Sequence, residues 1–255
     1  MKGVIRIISF NRDWYALGAA GVTAGVLVGA RIPLPYSALV WAGTAIAFFW
    51  LAASIAASYY IYDRSRFYEF QWLADCLPNP PRCWVNVHAG LNDLHLSGGE
   101  GCTLDIFDPE EMTEPSIRRA RRLPRELCER ADWRALPIDD ECCDAVFLIF
   151  TVHELRRHEV RVQLLWEAER ILRPGGRIVL TEHLRDGWNF LAFGPGFLHF
   201  YSERTWLRAA EEAGLKVQKR LTITPFVHTF VLGRAYDPDA SADCGVAVVG
   251  VGRGA

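Results

Sequence analysis

The chain has 255 residues, which suffices for one α/β domain with a short appendage but not for two large domains. Its formal net charge is −2, and the absence of an overall basic surface argues against nucleic acid as the main partner. The seven cysteines are odd in number and lack C-x-x-C spacing, so they indicate reduced thiols rather than a zinc ribbon or a disulfide framework.

Two uncharged apolar runs lie near the N-terminus, at 15–30 and 37–62. About 20 apolar residues cross a bilayer, so the second run is long enough alone and the first needs flanking residues. Pro33 and Pro35 break the helix between the runs, so residues 1–62 are predicted to form a two-helix transmembrane hairpin. Small residues suited to close helix packing recur in the first run, at Gly18, Gly21, Gly25 and Gly29.

The charges around the hairpin predict its orientation. Basic residues flank both of its ends, at Lys2, Arg6, Arg12, Arg64 and Arg66, against one arginine, Arg31, in the turn. The positive-inside rule therefore predicts a multi-pass protein of the inner (cytoplasmic) membrane with its catalytic domain in the cytoplasm. A cleaved signal peptide is disfavoured by the second, longer run; the remaining alternative makes the first run an interfacial helix.

The rest of the chain is polar, with short apolar segments. Residues 63–81 are predicted to be a connecting helix and linker. From 82 to 235, apolar strands alternate with amphipathic helices, which predicts a doubly wound, mostly parallel α/β sheet with an antiparallel hairpin at one edge. Residues 236–255 are rich in glycine and alanine, and a loose tail or a short extra strand is expected there.

The most specific motif lies between 144 and 182. A strand (DAVFLIF) leads to a helix ending in ERIL, then to the turn RPGG and the strand RIVLTE. In this region the sequence resembles the class I S-adenosylmethionine-dependent methyltransferases, in particular those of type 11, and the resemblance extends over 82–234. It implies a Rossmann-like fold, S-adenosyl-L-methionine as the cofactor, and methyl transfer as the reaction.

The same resemblance implies roles for acidic and aromatic residues at the strand ends. Asp132 would accept a hydrogen bond from the adenine amino group, beside Trp133 as an apolar wall, unless Asp132 only caps a turn. Asp105 would bind the ribose hydroxyls, with Asp108 as the alternative. Phe150, at the end of a later strand, is included among the cofactor-binding residues.

The loop after the first strand departs from the family pattern. Of the glycines expected there, VNVHAGLND retains Gly90, and His88 stands where the first glycine would be. If the loop follows another path, Asn92 and Asp93 would hold the amino group of the cofactor. The alternative is a non-catalytic, membrane-bound pseudo-methyltransferase that acts as an interaction module.

Candidate catalytic residues follow the later strands, where the ligands of open α/β sheets bind. They are His153, Glu154, His199 and Tyr201. His153 is the candidate base for an acceptor that must lose a proton, and the alternative is a histidine that satisfies a core hydrogen bond. A metal held by His153, Glu154 and His183 is less favoured, because no dense ligand spacing supports it.

The membrane anchor favours an acceptor that is itself membrane-resident, such as a quinone or isoprenoid ring, a lipid headgroup or a fatty molecule. The aromatic segment 189–200 is predicted to be a lid facing the membrane, with Gly194 and Gly196 as pivots. A predicted basic helix carries Arg118, Arg119, Arg121, Arg122 and Arg125. These side chains are expected either in solvent or against anionic headgroups.

Overall fold

The computed structural model describes residues 2–90, 94, 96, 98–122 and 128–236. Its centre is one seven-stranded sheet in the order β3-β2-β1-β4-β5-β7-β6. The strands are β1 (Cys83–His88), β2 (Glu100–Asp105), β3 (Glu129–Arg130), β4 (Cys143–Ile149), β5 (Leu172–Glu182), β6 (Leu215–Thr224) and β7 (Val227–Arg234). Strand β7 runs antiparallel to both β5 and β6, and the other neighbours are parallel. The predicted mostly parallel sheet with an antiparallel edge hairpin is therefore confirmed.

Seven α-helices accompany the sheet in the described part of the chain. They are α1 (Lys2–Phe10), α2 (Arg12–Gly29), α3 (Tyr36–Tyr59), α4 (Pro115–Ala120), α5 (His158–Arg170), α6 (Gly187–Phe193) and α7 (Glu203–Glu212). Helix α5 buries Val160, Leu164 and Ala168 at four-residue steps against the sheet. The RPGG sequence, predicted to be a turn, lies instead in the first part of β5, where Gly175 has a φ of 77° that suits glycine and few other residues.

Helices α2 and α3 pack against each other in the apolar N-terminal region. A Cβ atom placed on Gly25 would lie 2.1 Å from Thr44 Oγ1, and one on Gly29 would lie 3.0 Å from the Trp41 ring. The small residues of α2 thus allow the close approach of the two helices that the sequence predicts.

Within the described residues, one helix is long and apolar enough to cross a membrane, and it contains α3. None of its apolar window is buried inside the protein. Helix α2 does not reach that level, because glycine and alanine dominate it and Arg12 and Asp13 begin it. The prediction of two spans is therefore not confirmed, although the two helices do pack together.

The segment after α3 was predicted to be a connecting helix, and this prediction is wrong. A π-helical turn (Tyr60–Arg64) is followed by two 3-10 turns (Phe67–Glu69 and Gln71–Asp75). Phe70 between them has a φ of 53°, which breaks any continuous helix. Ile61, Phe67 and Leu73 are buried, so the segment follows the side of the domain instead of extending away from it.

The N-terminal helices are joined to the rest of the protein by hydrogen bonds at two places. The Asp63 carboxylate accepts from the backbone N–H groups of Gly3 and Val4, at 3.0 and 2.7 Å, which fixes α1 beside the end of α3. Arg119 of α4 donates to the Phe10 carbonyl at 2.7 Å and pairs with Asp13. The start of the chain is thus connected directly to the sheet domain.

The basic segment forms a shorter helix than predicted, since α4 ends at Ala120. Arg118 and Arg122 are exposed, whereas Arg119 and Arg121 are half-buried and bind other parts of the protein. The prediction of one basic face open to solvent or headgroups is therefore wrong for two of its members. Arg125 and the tail from 237 onward lie outside the described residues.

Candidate active site

Four predicted cofactor-binding residues, His88, Gly90, Asp105 and Asp132, lie at one edge of the sheet. His88 and Asp105 end β1 and β2 and are register partners in the parallel pair. Gly90 follows two residues after β1, and the Ala131 N–H donates to the Asp105 carbonyl at 3.0 Å, which places Asp132 next to that strand end. The carboxyl ends of the central strands thus bring together Gly90, Asp105 and Asp132.

The Asp105 carboxylate is already engaged by a side chain of the protein. Arg121 donates to its two oxygens at 2.8 and 2.9 Å, and the Phe107 N–H donates at 3.1 Å. Arg121 also donates to the Ala89 carbonyl at 2.8 Å, and its guanidinium lies 4.0 Å from the centre of the Phe107 ring. Burial alone would raise the pKa of Asp105. The hydrogen bonds and the positive charge of Arg121 outweigh burial and hold this pKa below its usual value.

Gly90 and His88 are enclosed by neighbouring residues. A Cβ on Gly90 would lie 2.8 Å from Ile117 Cδ1 and 3.1 Å from Arg121 Cγ, and the His88 side chain is buried. Asn92 and Asp93 lie outside the described residues. Asp105 suits a nucleoside, because a carboxylate accepts two hydrogen bonds from ribose hydroxyls. The residues present fit such a cofactor once Arg121 releases Asp105.

The structure does not support the prediction that Trp133 forms an apolar wall for the adenine ring. Trp133 is buried in the core, and its indole N–H donates to Asp108 at 3.1 Å. Asp132 is exposed and accepts from the backbone N–H and the guanidinium of Arg134, at 2.9 and 3.2 Å. Asp132 thus caps a turn through Oδ1, as in the alternative prediction, and lies exposed at the edge, whereas Trp133 and Asp108 stabilise the loop.

Aromatic rings line the ends of β4 and β5. Phe150 follows β4 with a φ of 50°, and its ring stacks on His183 at a centroid distance of 4.8 Å. Phe200 stacks at 4.8 Å as well, so the imidazole is flanked by two phenyl rings. His183 Nδ1 lies 2.8 Å from the Phe226 carbonyl, and its Nε2 lies 3.3 Å from the Tyr62 hydroxyl. Burial lowers the pKa of His183 to about 4, so the ring is neutral.

His153 lies between two buried carboxylates. Its Nδ1 lies 2.7 Å from Glu182 Oε2, and its Nε2 lies 3.4 Å from Glu154 Oε1. Burial on its own lowers the pKa of His153, but the two carboxylates outweigh this and raise it to about 10. A protonated imidazolium cannot accept a proton, so the predicted role of His153 as a general base disagrees with this geometry.

The other two predicted catalytic residues lie beside this cluster. The His199 ring is 5.6 Å from that of His153, and its Nδ1 accepts from Arg156 at 2.6 Å. Burial, with the nearby positive charges of His153 and Arg156, lowers the pKa of His199 to about 4. Tyr201 donates its hydroxyl hydrogen to the Arg156 carbonyl at 3.1 Å. The structure thus brings His153, Glu154, His199 and Tyr201 into one region.

These three histidines predict a stability optimum near pH 6.5, the ordinary histidine pKa. His183 and His199 have lowered pKa values, so their contribution is complete above pH 6.5 and is lost as the pH falls toward 4. His153 has a raised pKa, so its contribution is complete below pH 6.5 and is lost as the pH rises toward 10. Thermal melting midpoints measured from pH 4 to 10 should show this maximum.

A matched variant separates the two sides of the pH profile. His153→Gln should remove much of the decrease above pH 6.5 and leave the decrease below it. A melting midpoint that rises steadily from pH 6.5 to 10 in the unaltered protein would contradict the raised pKa of His153.

Sequence reasoning missed three residues that organise this edge: Arg121, Arg156 and Glu182. Glu182 is the last residue of β5, beside the end of β4, so a known strand order would have placed it near His153. No local pattern distinguishes Arg121 or Arg156 from the surrounding arginines, because their partners are distant in the sequence.

Part of the chain is similar to known proteins. Residues 97–180 match the family described as "Methyltransferase domain". Two curated relatives are ubiquinone/menaquinone biosynthesis C-methyltransferases. The one from Acidiphilium cryptum is 29% identical over 143 residues, which cover 50% of this chain and 56% of the relative. The one from Ruegeria is 30% identical over 122 residues, which cover 44% and 45%. The chain thus spans about half the length of these relatives.

Solved structures of low identity are also similar. A SAM-dependent methyltransferase from Aquifex aeolicus is 19% identical, with a TM-score of 0.48, and the match covers 67% of this chain and 93% of that one. The family match agrees with the prediction of a methyltransferase domain for residues 97–180.

Proposed function

We propose that this protein is an S-adenosylmethionine-dependent methyltransferase anchored to a membrane by α3, with a lipophilic acceptor that reaches the site from the bilayer. The cofactor would supply an activated methyl group, and Asp105 and Asp132 would hold its nucleoside. The observation that carries the membrane part is the packing of the aromatic lid against the exposed apolar helix.

The lid predicted at 189–200 lies mainly in α6 and in the 3-10 turn that follows it, Gly194–His199, and these two elements (187–199) are called the lid from here on. Asp186 begins α6 by accepting a hydrogen bond from the Asn189 N–H at 2.8 Å. The Phe190 ring lies edge-on to Trp50 of α3 at 5.5 Å, and Gly194 is pressed against the same Trp50 ring. The lid leaves an apolar surface exposed next to the span, formed by Trp188, Phe190, Leu191 and Leu198. Such a surface suits insertion among lipid chains.

The end of the span also contacts the candidate site. Tyr62, three residues beyond α3, reaches His183 with its hydroxyl, and the neighbouring Ile61 is fully buried. An acceptor that moves along α3 under the lid would arrive at the ends of β4 and β5. Membrane attachment and acceptor binding would then use the same surface.

Within the site, His153 would act as a positioning residue and not as a base. Both of its ring nitrogens face carboxylates, Nδ1 that of Glu182 and Nε2 that of Glu154, so the imidazolium would hold these two side chains in place at the ends of β4 and β5. Methyl transfer then depends mainly on an in-line approach of acceptor and donor, to which the aromatic rings around His183 contribute by orienting a flat substrate.

The chemistry of the acceptor follows from this surface. A flat ring with an isoprenoid tail would suit the aromatic edge and the apolar lid together. The two curated relatives carry names that refer to ubiquinone and menaquinone biosynthesis, so a prenylated quinol is the first acceptor to test.

The test replaces exposed residues of the lid. Removal of the whole anchor is unsuitable, because Ile61 and Tyr62 are part of the domain packing. Trp188 and Leu198 are 61% and 59% exposed, so Trp188→Glu and Leu198→Glu should leave the fold intact. Each is expected to lower turnover of a prenylated quinol in vesicles about tenfold, and to leave turnover of its short-chain, soluble analogue unchanged.

The matched control is Trp166→Glu, which alters a tryptophan of α5 that is 51% exposed. This substitution should leave the turnover of both the vesicle-bound and the soluble acceptor unchanged. An equal loss on the vesicle-bound and soluble acceptors, or no loss on either, would contradict the proposed membrane role of the lid.

The second candidate function is a non-catalytic interaction module. It is favoured by the Arg121–Asp105 ion pair and by the side chains that enclose Gly90. Calorimetric titration with adenosylhomocysteine separates the two functions, since the non-catalytic module should not bind it.

A further inference from the structure

The ribose carboxylate and the membrane anchor are connected through one short helix. Arg121, directly after α4, holds both oxygens of Asp105 and the Ala89 carbonyl. Arg119, within α4, holds the Phe10 carbonyl at the end of α1 and the Asp13 carboxylate at the start of α2. Two arginines two positions apart thus bind the cofactor edge and the anchor.

Arg121 occupies the place where a nucleoside would bind. Its guanidinium lies between the end of β1 and the end of β2 and stacks on Phe107, and its side chain fills the space beside Gly90. The side chains of Arg121 and Asp105 are only 13% and 8% exposed, so solvent weakens the ion pair little. Arg121 and the Phe107 N–H together take three of the roughly four acceptor sites of the carboxylate, so two ribose hydroxyls cannot bind it at the same time as Arg121.

We propose that Arg121 sets the affinity of the cofactor site by competing with the nucleoside for Asp105, and that the anchor controls this competition through Arg119 and α4. When α1 and the start of α2 hold α4 in place, Arg121 remains on Asp105 and binding is weak. A movement of the anchor that draws α4 away frees Asp105 and strengthens binding. This proposal rests on the proposed function, because it concerns the cofactor site of the methyltransferase.

The experiment measures binding of adenosylhomocysteine by calorimetry to the full chain in nanodiscs, without any acceptor. Arg121→Gln removes the competitor and is expected to tighten binding about tenfold. Arg122→Gln removes the same charge from the neighbouring exposed residue and should leave the affinity unchanged. Thermal melting of each variant verifies that it is folded.

A double-mutant cycle tests the connection to the anchor. Arg119→Gln alone should tighten binding by less than Arg121→Gln. Combined with Arg121→Gln it should add nothing, because the anchor acts through Arg121. If Arg121→Gln fails to fold, Arg119→Gln still decides the test. Tighter binding of adenosylhomocysteine by Arg119→Gln would support the proposal, and unchanged binding would contradict it.

The outcomes distinguish this proposal from the proposed function. If the unaltered protein binds adenosylhomocysteine and Arg121→Gln binds it with the same affinity, the proposed competition by Arg121 is overturned, whereas the proposed function is not. Additive effects of the two substitutions would overturn the control by the anchor. Absence of binding by every folded variant would overturn both the proposal and the assignment of the cofactor site.

Discussion

Glu182→Gln is expected to lower the free energy of unfolding by about 3 kcal/mol, because it removes one member of a buried ion pair and leaves the other. Glu182 is almost fully buried and binds the imidazole and the backbone N–H of His153, at 2.7 and 3.2 Å. Glutamine has nearly the same shape, so the loss would come from the charge. Chemical denaturation in detergent measures the free energy directly.

The substitution should also change the protonation of His153. Glu182 is the closer of the two carboxylates, and without it only Glu154, at 3.4 Å, continues to favour the imidazolium. We therefore expect the pKa of His153, followed by NMR titration of its ring protons, to fall from about 10 toward the ordinary histidine value.

A surface pair in the same chain provides the matched control. His158 and Glu212 lie 2.8 Å apart, but Glu212 is exposed and belongs to the outer side of α7. Glu212→Gln should lower the free energy of unfolding much less than Glu182→Gln, because solvent screens the charge of Glu212. Equal losses of unfolding free energy in the two variants would contradict the stabilising role of the buried Glu182–His153 pair. An unchanged pKa of His153 in Glu182→Gln would contradict the effect of Glu182 on that pKa.

The sequence was sufficient to predict those features that depend on local order along the chain. Alternating strands and helices predicted the sheet, and the RPGG sequence together with the pattern around it predicted the methyltransferase domain. Asp105 was placed at a strand end because residues 103–109 resemble the end of the second strand in that family. The prediction of the sheet needs only spacing and residue type within a short window, and the other two inferences need in addition the resemblance of short motifs.

The features that were missed depend on partners far apart in the sequence. In the sequence Arg121 is one of several arginines in a basic segment, and only the fold shows that β2 places Asp105 beside it. Trp133 reads as a ligand wall until the core encloses it and Asp108 binds its indole. His153 reads as a base until Glu182, 29 residues later, provides a negative charge. Tertiary contacts therefore decide the chemistry of this site, whereas local sequence decides its position.

The lid depends on one glycine more than on any other residue. Gly194 has a φ of 53° and a ψ of −138°, a conformation that a residue with a Cβ atom adopts only under strain. A Cβ at this position would also lie 2.6 Å from Cδ2 of Trp50 in α3. Gly194→Ala is therefore expected to lower the free energy of unfolding by about 2 kcal/mol or more and to separate the lid from the anchor helix.

Gly196 lies in the same Gly-Pro-Gly sequence and is the control for Gly194→Ala. The nearest heavy atom to a Cβ on Gly196 is 3.9 Å away, which is ordinary contact, so Gly196→Ala should be almost neutral. Thermal melting reports the stability of both variants, and limited proteolysis reports whether the segment from Gly187 to His199 has opened. Because the two substitutions add the same methyl group two residues apart, only the contact with Trp50 and the backbone strain distinguish them. If both variants melt and are cleaved alike, the lid is not held by α3 at Gly194, and the route of the acceptor along that helix loses its structural basis.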